Sequence, residues 1–383
     1  MIKQKMLSRD FVLCFFGQFS FQLVFTILIP TIPIYLSKFE AKEAEIGLLV
    51  GIFSFSSLIL RPIVGRGLLH IPEKRFMIAG ALLCVFSSVA YLSAPPFWAF
   101  LVVRIFHGIA LALFSTSVFT LVANITPETH RGQLISYFYL ATNLAFALGP
   151  YFGMLLVNRF NFVVLFWVCT GLSLCSVLIT TKLDKKNVHP LENQRFEIKT
   201  LLSREALPPS IIAFMLNVIW GTICAFFPLY ALRHGVLNPG IFFVFSSGTL
   251  VLSRAFGGKI LDIYDRKKVI IPCLFVIIIS LAILTFSTTL PMFILVAVGL
   301  GIGWALLYPS LLIYAIENAG SARGPAMGTF TGVADLGAGI GPMILGIILQ
   351  LTNYSIMFSC LTLIGVINLV YFYYAIGKKR ETG

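Results

Sequence analysis

Asp335, Arg104 and His107 demand a chemical explanation first, because each lies inside a long apolar run. A charged side chain at the centre of a bilayer costs about 2.5–3.5 kcal/mol on insertion scales, so one that is kept needs a reason. Asp335 follows Arg323 by twelve residues, about 18 Å of helix at 1.5 Å per residue, which sets it near mid-membrane. The other acids fall in loops or at helix ends, Glu317 among them. Apolar surroundings favour the neutral form of any carboxyl, so a solitary acid at this depth suits reversible proton binding. The alternative is structural: a protonated Asp that hydrogen-bonds a neighbouring helix. Arg104 lies about eight residues into its run, where a guanidinium needs a carboxylate, backbone carbonyls or an anionic solute. His107, at i+3 on the same helix face, either relays protons near neutral pH or packs through a hydrogen bond.

Uncharged polar residues form stripes on the same scale. Gln18, Gln22 and Thr26 recur at i, i+4 and i+8, so they share one helix face. Tyr139 with Asn143, and Trp304 with Tyr308, form two more such pairs, and Asn217 stands alone in its run. Together they mark a solute-lining surface; singly, each could be interhelical glue worth about 0.6 kcal/mol. All seven cysteines lie in apolar runs, with no C-x-x-C pair and no His/Cys cluster, so neither a metal site nor a disulfide framework is expected. The sequence has no Walker A, H-E-x-x-H or G-x-S-x-G motif, and no cofactor or enzymatic chemistry is expected. Uphill work would have to be driven by an ion gradient.

The elements that position these residues follow from composition. Only 11% of the 383 residues are charged, 58% are apolar and the mean hydropathy is +0.95. A soluble chain keeps roughly a quarter of its residues charged. A spanning helix needs about 20 apolar residues, and the runs are continuous, which excludes an alternating barrel pattern. Twelve spans fit: 11–36, 46–65, 76–94, 97–122, 133–157, 162–181, 208–231, 241–260, 268–288, 291–315, 325–350 and 354–376. The expected class is therefore an all-α membrane protein. With both termini on one side, that side holds twenty-one Lys and Arg, and the other only Lys38, Lys42, Arg159 and Arg233. By the positive-inside rule both termini are expected in the cytoplasm, in a multi-pass inner (cytoplasmic) membrane protein. The net charge of +13 is thus topology rather than a nucleic-acid surface. The first apolar run, lacking a small-residue cleavage signal, reads as a helix and not a signal peptide.

The longest polar stretch divides the chain into 1–181, a cytoplasmic linker 182–207, and 208–383. The two halves repeat each other. LRPIVGRGLL (60–69) lies over SRAFGGKILD (253–262), pairing Arg61 with Arg254 and Gly65 with Gly258 at an offset of 193. TIPIY (31–35) lies over FFPLY (226–230), and Gly108-Ile109-Ala110 over Gly301-Ile302-Gly303. Arg131-Gly132 and Gly149-Pro150 lie over Arg323-Gly324 and Gly341-Pro342 at 192. The halves are therefore two parallel six-helix bundles, an arrangement that puts a solute site near the midplane. Arg61 and Arg254 lie near the cytoplasmic helix ends, where their stems can snorkel. Glycines and prolines inside the spans, Gly149, Pro150, Gly341 and Pro342 among them, either kink helices for gating or allow close packing.

On these residues the chain resembles the major facilitator superfamily over nearly its whole length. Gly258, Ile260, Asp262, Asp265, Arg266 and Lys267 are similar to the family's 2–3 loop signature. In the first half Gly65 remains, but Leu69, His70, Pro72 and Glu73 replace the charged part. The resemblance implies that this loop locks the cytoplasmic side, with better support in the second half. LVVRIFHGIA (101–110) is similar to the family's helix-4 motif, and ALGPYFG (147–153) to the Gly-Pro motif of its antiporters and exporters. GTFTGVADLGAGIGP (328–342) looks like a string of a bacterial subgroup of drug and metallophore exporters. The implied activity is secondary transport by a monomer: proton-coupled antiport that exports a small amphiphilic solute. Asp335 would bind the proton, and Arg104 would anchor a carboxylate or tune Asp335. The alternatives are proton-coupled or facilitated uptake of a metabolite or anion, and a non-transporting membrane sensor.

Overall fold

The computed structural model describes residues 8–94, 97–126, 131–184, 203–257, 266–318 and 323–377. Among them are twelve α-helices: α1 Arg9–Ser37, α2 Glu43–Gly67, α3 Glu73–Ala90, α4 Trp98–Ile125, α5 Arg131–Arg159 and α6 Phe162–Thr181 in the first half. The second half holds α7 Leu207–Arg233, α8 Gly240–Gly257, α9 Arg266–Phe286, α10 Leu290–Asn318, α11 Arg323–Leu351 and α12 Tyr354–Tyr371. A six-residue π-helix, Phe372–Gly377, follows α12. The described residues contain no strand, as expected for a chain that must satisfy its backbone inside lipid. Eleven of these helices are long and apolar enough to cross a membrane. The exception is α3, whose 18 residues open on Glu73-Lys74-Arg75 and start three residues before the expected span.

The repeat read from sequence reappears as the same helix pairings. In the first half α3 packs on α4 and α6, and α5 on α4 and α6; in the second α9 packs on α10 and α12, and α11 on α10 and α12. The correspondence reaches single contacts. A Cβ added to Gly80 on α3 would lie 2.9 Å from the Ala110 carbonyl oxygen on α4. At an offset of 193 the glycine has changed sides, and a Cβ on Gly303 of α10 would lie 3.1 Å from the Cys273 carbonyl of α9. Gly149 of α5 abuts Thr26 of α1, and Gly341 of α11 abuts Val218 of α7, both members shifted by 192. Helix starts repeat as well. The Asn161 side chain accepts the Val164 N–H (2.9 Å) at the head of α6, and Asn353 accepts the Ile356 N–H (3.0 Å) at the head of α12. Each cap satisfies one of the backbone donors that a helix start leaves open.

Two compact units result, and they are not quite the two halves. The first comprises Met1–Tyr35 and Phe55–Gln194; the second comprises Leu36–Ser54 and Arg195–Gly383. The beginning of α2 therefore belongs with the second unit, and its remainder with the first. At the far end of the first unit, Lys74 of α3 donates to the Thr181 and Leu183 carbonyls, closing the C-terminus of α6. Arg9 reaches the Lys182 carbonyl (3.5 Å) and pairs with Asp184 (3.7 Å), but both side chains are 69% exposed, where such a pair contributes little.

Candidate functional site

In the first unit the sequence-selected residues fall into two groups. Arg104 is 6% exposed and His107 fully buried, both on the inner face of α4. The His107 Nδ1 lies 3.0 Å from the Tyr91 hydroxyl at the end of α3, and its Nε2 lies 3.6 Å from Cys84 Sγ. The Phe25 ring of α1 stacks on the imidazole with centroids 4.4 Å apart, and the Ser173 hydroxyl of α6 donates to Cys84 Sγ at 3.3 Å. Arg104 engages the same Tyr91 hydroxyl. The phenol oxygen can accept from Arg104 and still either donate to Nδ1 or accept from it, so Tyr91 and His107 are a buried hydrogen-bonded pair in either imidazole tautomer. His107, on α4, is thus enclosed by side chains of α1 and α3.

The second group lies where α1 meets α5. Gln18, 1% exposed, donates from Nε2 to Thr142 Oγ1 at 3.2 Å, while its Oε1 is buried with no hydrogen-bond partner among the described residues. Thr26 bonds back to the Gln22 and Leu23 carbonyls and sits beneath Gly149, so it serves helix packing. Gln22 is buried, and Asn143 is half-buried one residue beyond Thr142. Tyr139 is 44% exposed, with its ring 5.0 Å from Phe119.

In the second unit Asp335 is half-buried in the middle of α11. The small residues next to it set how α11 is held: Gly337 abuts the Phe214 carbonyl and Gly341 the Val218 carbonyl, both on α7. Asn217 spends its amide on the Ala213 carbonyl of its own helix (2.9 Å). Trp304 packs 5.7 Å from Trp220, and Tyr308 lies 5.3 Å from Phe330 of α11. The candidate motif residues separate similarly. Arg254 donates from Nε to the Ala305 carbonyl of α10 (3.2 Å), tying α8 to α10, and Arg61 is half-buried on α2. Among the described residues, a Cβ on Gly65 would meet nothing within 4 Å. Pro150 and Pro342 lie inside α5 and α11. Gly258 and Asp262 lie outside the described residues, as does the side chain of Arg266, which opens α9. Among the described residues no group of three or more His, Cys, Asp or Glu could hold a metal ion.

Sequence reasoning did not single out Tyr91, Cys84, Ser173, Thr142 or Trp220 as site residues, although Cys84, Ser87, Ser88 and Tyr91 recur at helical spacing along α3, as do Thr170, Ser173, Ser176 and Thr180 along α6. It also missed Gly47 and Gly51, for which a signal existed. Gly47-Leu48-Leu49-Val50-Gly51 is a G-x-x-x-G segment, the pattern that lets membrane helices approach backbone to backbone.

Twelve helices in two repeated units, carrying scattered single polar residues, define a multi-pass membrane carrier of small molecules. The family model of the Major Facilitator Superfamily matches residues 14–251 and 237–382, and the chain belongs to that superfamily. It is similar to the staphylopine export protein of Staphylococcus aureus, with 23% identity over 85% of this chain and 86% of that one. It is similar also to multidrug resistance protein 1 of Bacillus subtilis, with 25% identity over 88% and 89% of the two chains. A variant of the nucleoside transporter NupG shares its fold at a TM-score of 0.83, with 13% identity over 96% of this chain and all of that one.

Proposed function

We propose that this transporter is a proton-coupled antiporter that exports a small amphiphilic organic solute by alternating access. The observation that carries the reading is Asp335, a carboxyl half-buried at mid-length of α11, where an intramembrane acid is functional by default. Export is supported by the Gly149-Pro150 segment of α5 and by two relatives named for export and multidrug resistance. In this reading Asp335 takes up and releases the proton, and Arg104, held by Tyr91, anchors an anionic part of the solute. Gln18 offers a buried carbonyl oxygen to a solute donor. His107 orients Tyr91 rather than carrying protons. Both termini lie in the cytoplasm, and the carrier works as a monomer.

Everted membrane vesicles with an acid interior test this directly, with ethidium and a carboxylate-bearing fluorescein as probes. The wild type should accumulate one of them while alkalinising the lumen, and Asp335→Asn should do neither. Gradient-driven accumulation by Asp335→Asn would end the coupling assignment. A second reading, exchange or uptake of an anion, draws on the buried Arg104. It predicts accumulation in right-side-out vesicles and its loss in Arg104→Gln.

A further inference from the structure

Duplication makes the second unit a control for the first, side chain by side chain. Polar residues that bond back to their own helix are present in both copies. The Ser87 hydroxyl donates to the Leu83 carbonyl at 2.8 Å, and Ser280, 193 residues on, donates to the Val276 carbonyl at 2.7 Å. Thr170 and Thr362, 192 apart, donate to the Phe166 and Phe358 carbonyls at 2.9 and 3.0 Å. A contact between helices matches too: Ser176 donates to the Gly17 carbonyl (3.1 Å) and Asn368 to the Ile212 carbonyl (3.2 Å). The register between α3 and α9, and between α6 and α12, therefore holds at the level of single bonds.

One set of residues breaks this symmetry. In the places of Cys84, Tyr91, His107 and Ser173 the second unit has Ile277, Leu284, Leu300 and Gly365, and in the place of Arg104 it has Ala297. Ile277, Leu284, Ala297 and Leu300 are all fully buried. The room a side chain at Gly365 would take is filled by Ile278, whose Cγ1 would lie 3.0 Å from an added Cβ. Aliphatic packing thus joins α9, α10 and α12 where the first unit carries a polar string. That string runs from Arg104 to Tyr91, on to His107, then to Cys84 and Ser173. Burying such groups is costly unless each is bonded, and here each member bonds the next. The duplicate shows that the fold does not require them. Their exposures differ in one respect: Tyr91, His107, Cys84 and Ser173 are at 0%, while Arg104, at 6%, reaches the accessible surface.

We infer that Tyr91, His107, Cys84 and Ser173 are positioning residues for the Arg104 guanidinium, and that they set its affinity for a carboxylate on the solute. Tyr91 holds the guanidinium, His107 holds the phenol, Cys84 the imidazole, and Ser173 the thiol. The string crosses from α4 to the end of α3, returns to α4, goes back to α3 and ends on α6, so three helices fix one side chain. A guanidinium is a planar fork that binds a carboxylate through two parallel bonds, and the gain depends on orientation. An arginine left to itself must be ordered when the solute arrives, which weakens binding. A network whose members are bonded in series is rigid and does that ordering beforehand. The inference rests on the reading of Arg104 as the solute's anchor and adds what gives that anchor its direction.

Uptake into everted vesicles tests this, with the carboxylate-bearing fluorescein varied in concentration and ethidium as a probe that has no carboxylate. Tyr91→Phe keeps the ring against Phe100 and Phe166 and removes only the hydroxyl. It should raise KM for the carboxylate probe by about fivefold, keep its maximal rate within about twofold, and leave KM for ethidium unchanged. Cys84→Ala should raise the same KM by about twofold, and Cys84→Ser, which keeps a polar hydrogen, should restore it. Ser87→Ala, on α3 but outside the string, should behave as wild type. A structural role alone would lower the maximal rate for both probes and move neither KM. If Tyr91→Phe does not fold, the Cys84 pair decides by the same KM. Arg104→Gln separates the two claims. If it abolishes saturable uptake of the carboxylate probe while Tyr91→Phe or the Cys84 pair keeps the wild-type KM, positioning is refuted and the anchor stands. If Arg104→Gln keeps the wild-type KM, or the wild type takes up no carboxylate probe, the anchor reading fails and the inference fails with it.

Discussion

His107 shows how much a residue's meaning depends on what encloses it. From sequence it could be a proton relay or a packing group, because imidazole titrates near neutral pH and also hydrogen-bonds well. In the structure it has Tyr91 on one nitrogen, Cys84 on the other and Phe25 across the ring face. These partners come from α3 and α1, and nothing in the spacing of α4 names them. The expectation follows that His107→Leu leaves the Tyr91 hydroxyl without its imidazole partner and destabilises the protein by about 1–3 kcal/mol. His107→Gln, which keeps a side-chain acceptor, should retain proton-driven transport. Thermal unfolding in detergent and proton flux in vesicles check the two statements, and a Gln variant that is stable but fluxless would restore the relay. Asp335 differs: one acid within a 29-residue apolar helix was conspicuous from sequence, since few structural needs keep a carboxyl there.

At the scale of helices, the glycines divide into those that seat a neighbour and those that do not. Gly149 and Gly341 occupy matching places, one against Thr26 and the other against the Val218 carbonyl, so a branched side chain at either must push two helices apart. Gly149→Val and Gly341→Val should each lower stability by about 1–3 kcal/mol, as overpacking does elsewhere. Gly65, with open space where its Cβ would be, should accept valine without loss of stability in the same melting assay. A loss of transport in a stable Gly65→Val protein would show that the loop works by moving. Helix existence and order were readable because every span is a continuous apolar run. Which glycine seats which helix was not, apart from the G-x-x-x-G of α2, because a small residue gives the same signal in a packed seam and in open lipid.

Across the whole chain, duplication was the most informative feature of the sequence. Offsets of 192 and 193 foretold equivalent helices, and the same offsets recur in the Asn161 and Asn353 caps and in the exchanged Gly80 and Gly303 contacts. What the repeat could not foretell is the allegiance of residues 36–54, which belong with the second unit although they precede most of the first. Hydrophobic patterning tells a helix which face to bury, not which bundle to bury it in. The charge asymmetry makes a separate statement about sidedness. A membrane-impermeant maleimide applied to intact cells should label a cysteine placed at Lys42 and should reach one at Lys182 only after permeabilisation. The reverse pattern would invert the topology.

The short third helix has a consequence for how the chain is made. α3 has 18 residues, starts with three charged ones, turns Cys84, Ser87 and Ser88 inward, and is the one described α-helix not long and apolar enough to cross a membrane by length and composition. Its inward side is matched to α4 through the close approach of Gly80 to Ala110, and the two are joined by a short connection. A translocon that judges segments one at a time would hesitate over α3. Presented together with α4 as a hairpin, its polar side is already covered when it meets the bilayer. The pair, rather than the single helix, is then the unit of insertion, and damage at the Gly80 seat would be felt at the ribosome before it was felt in transport.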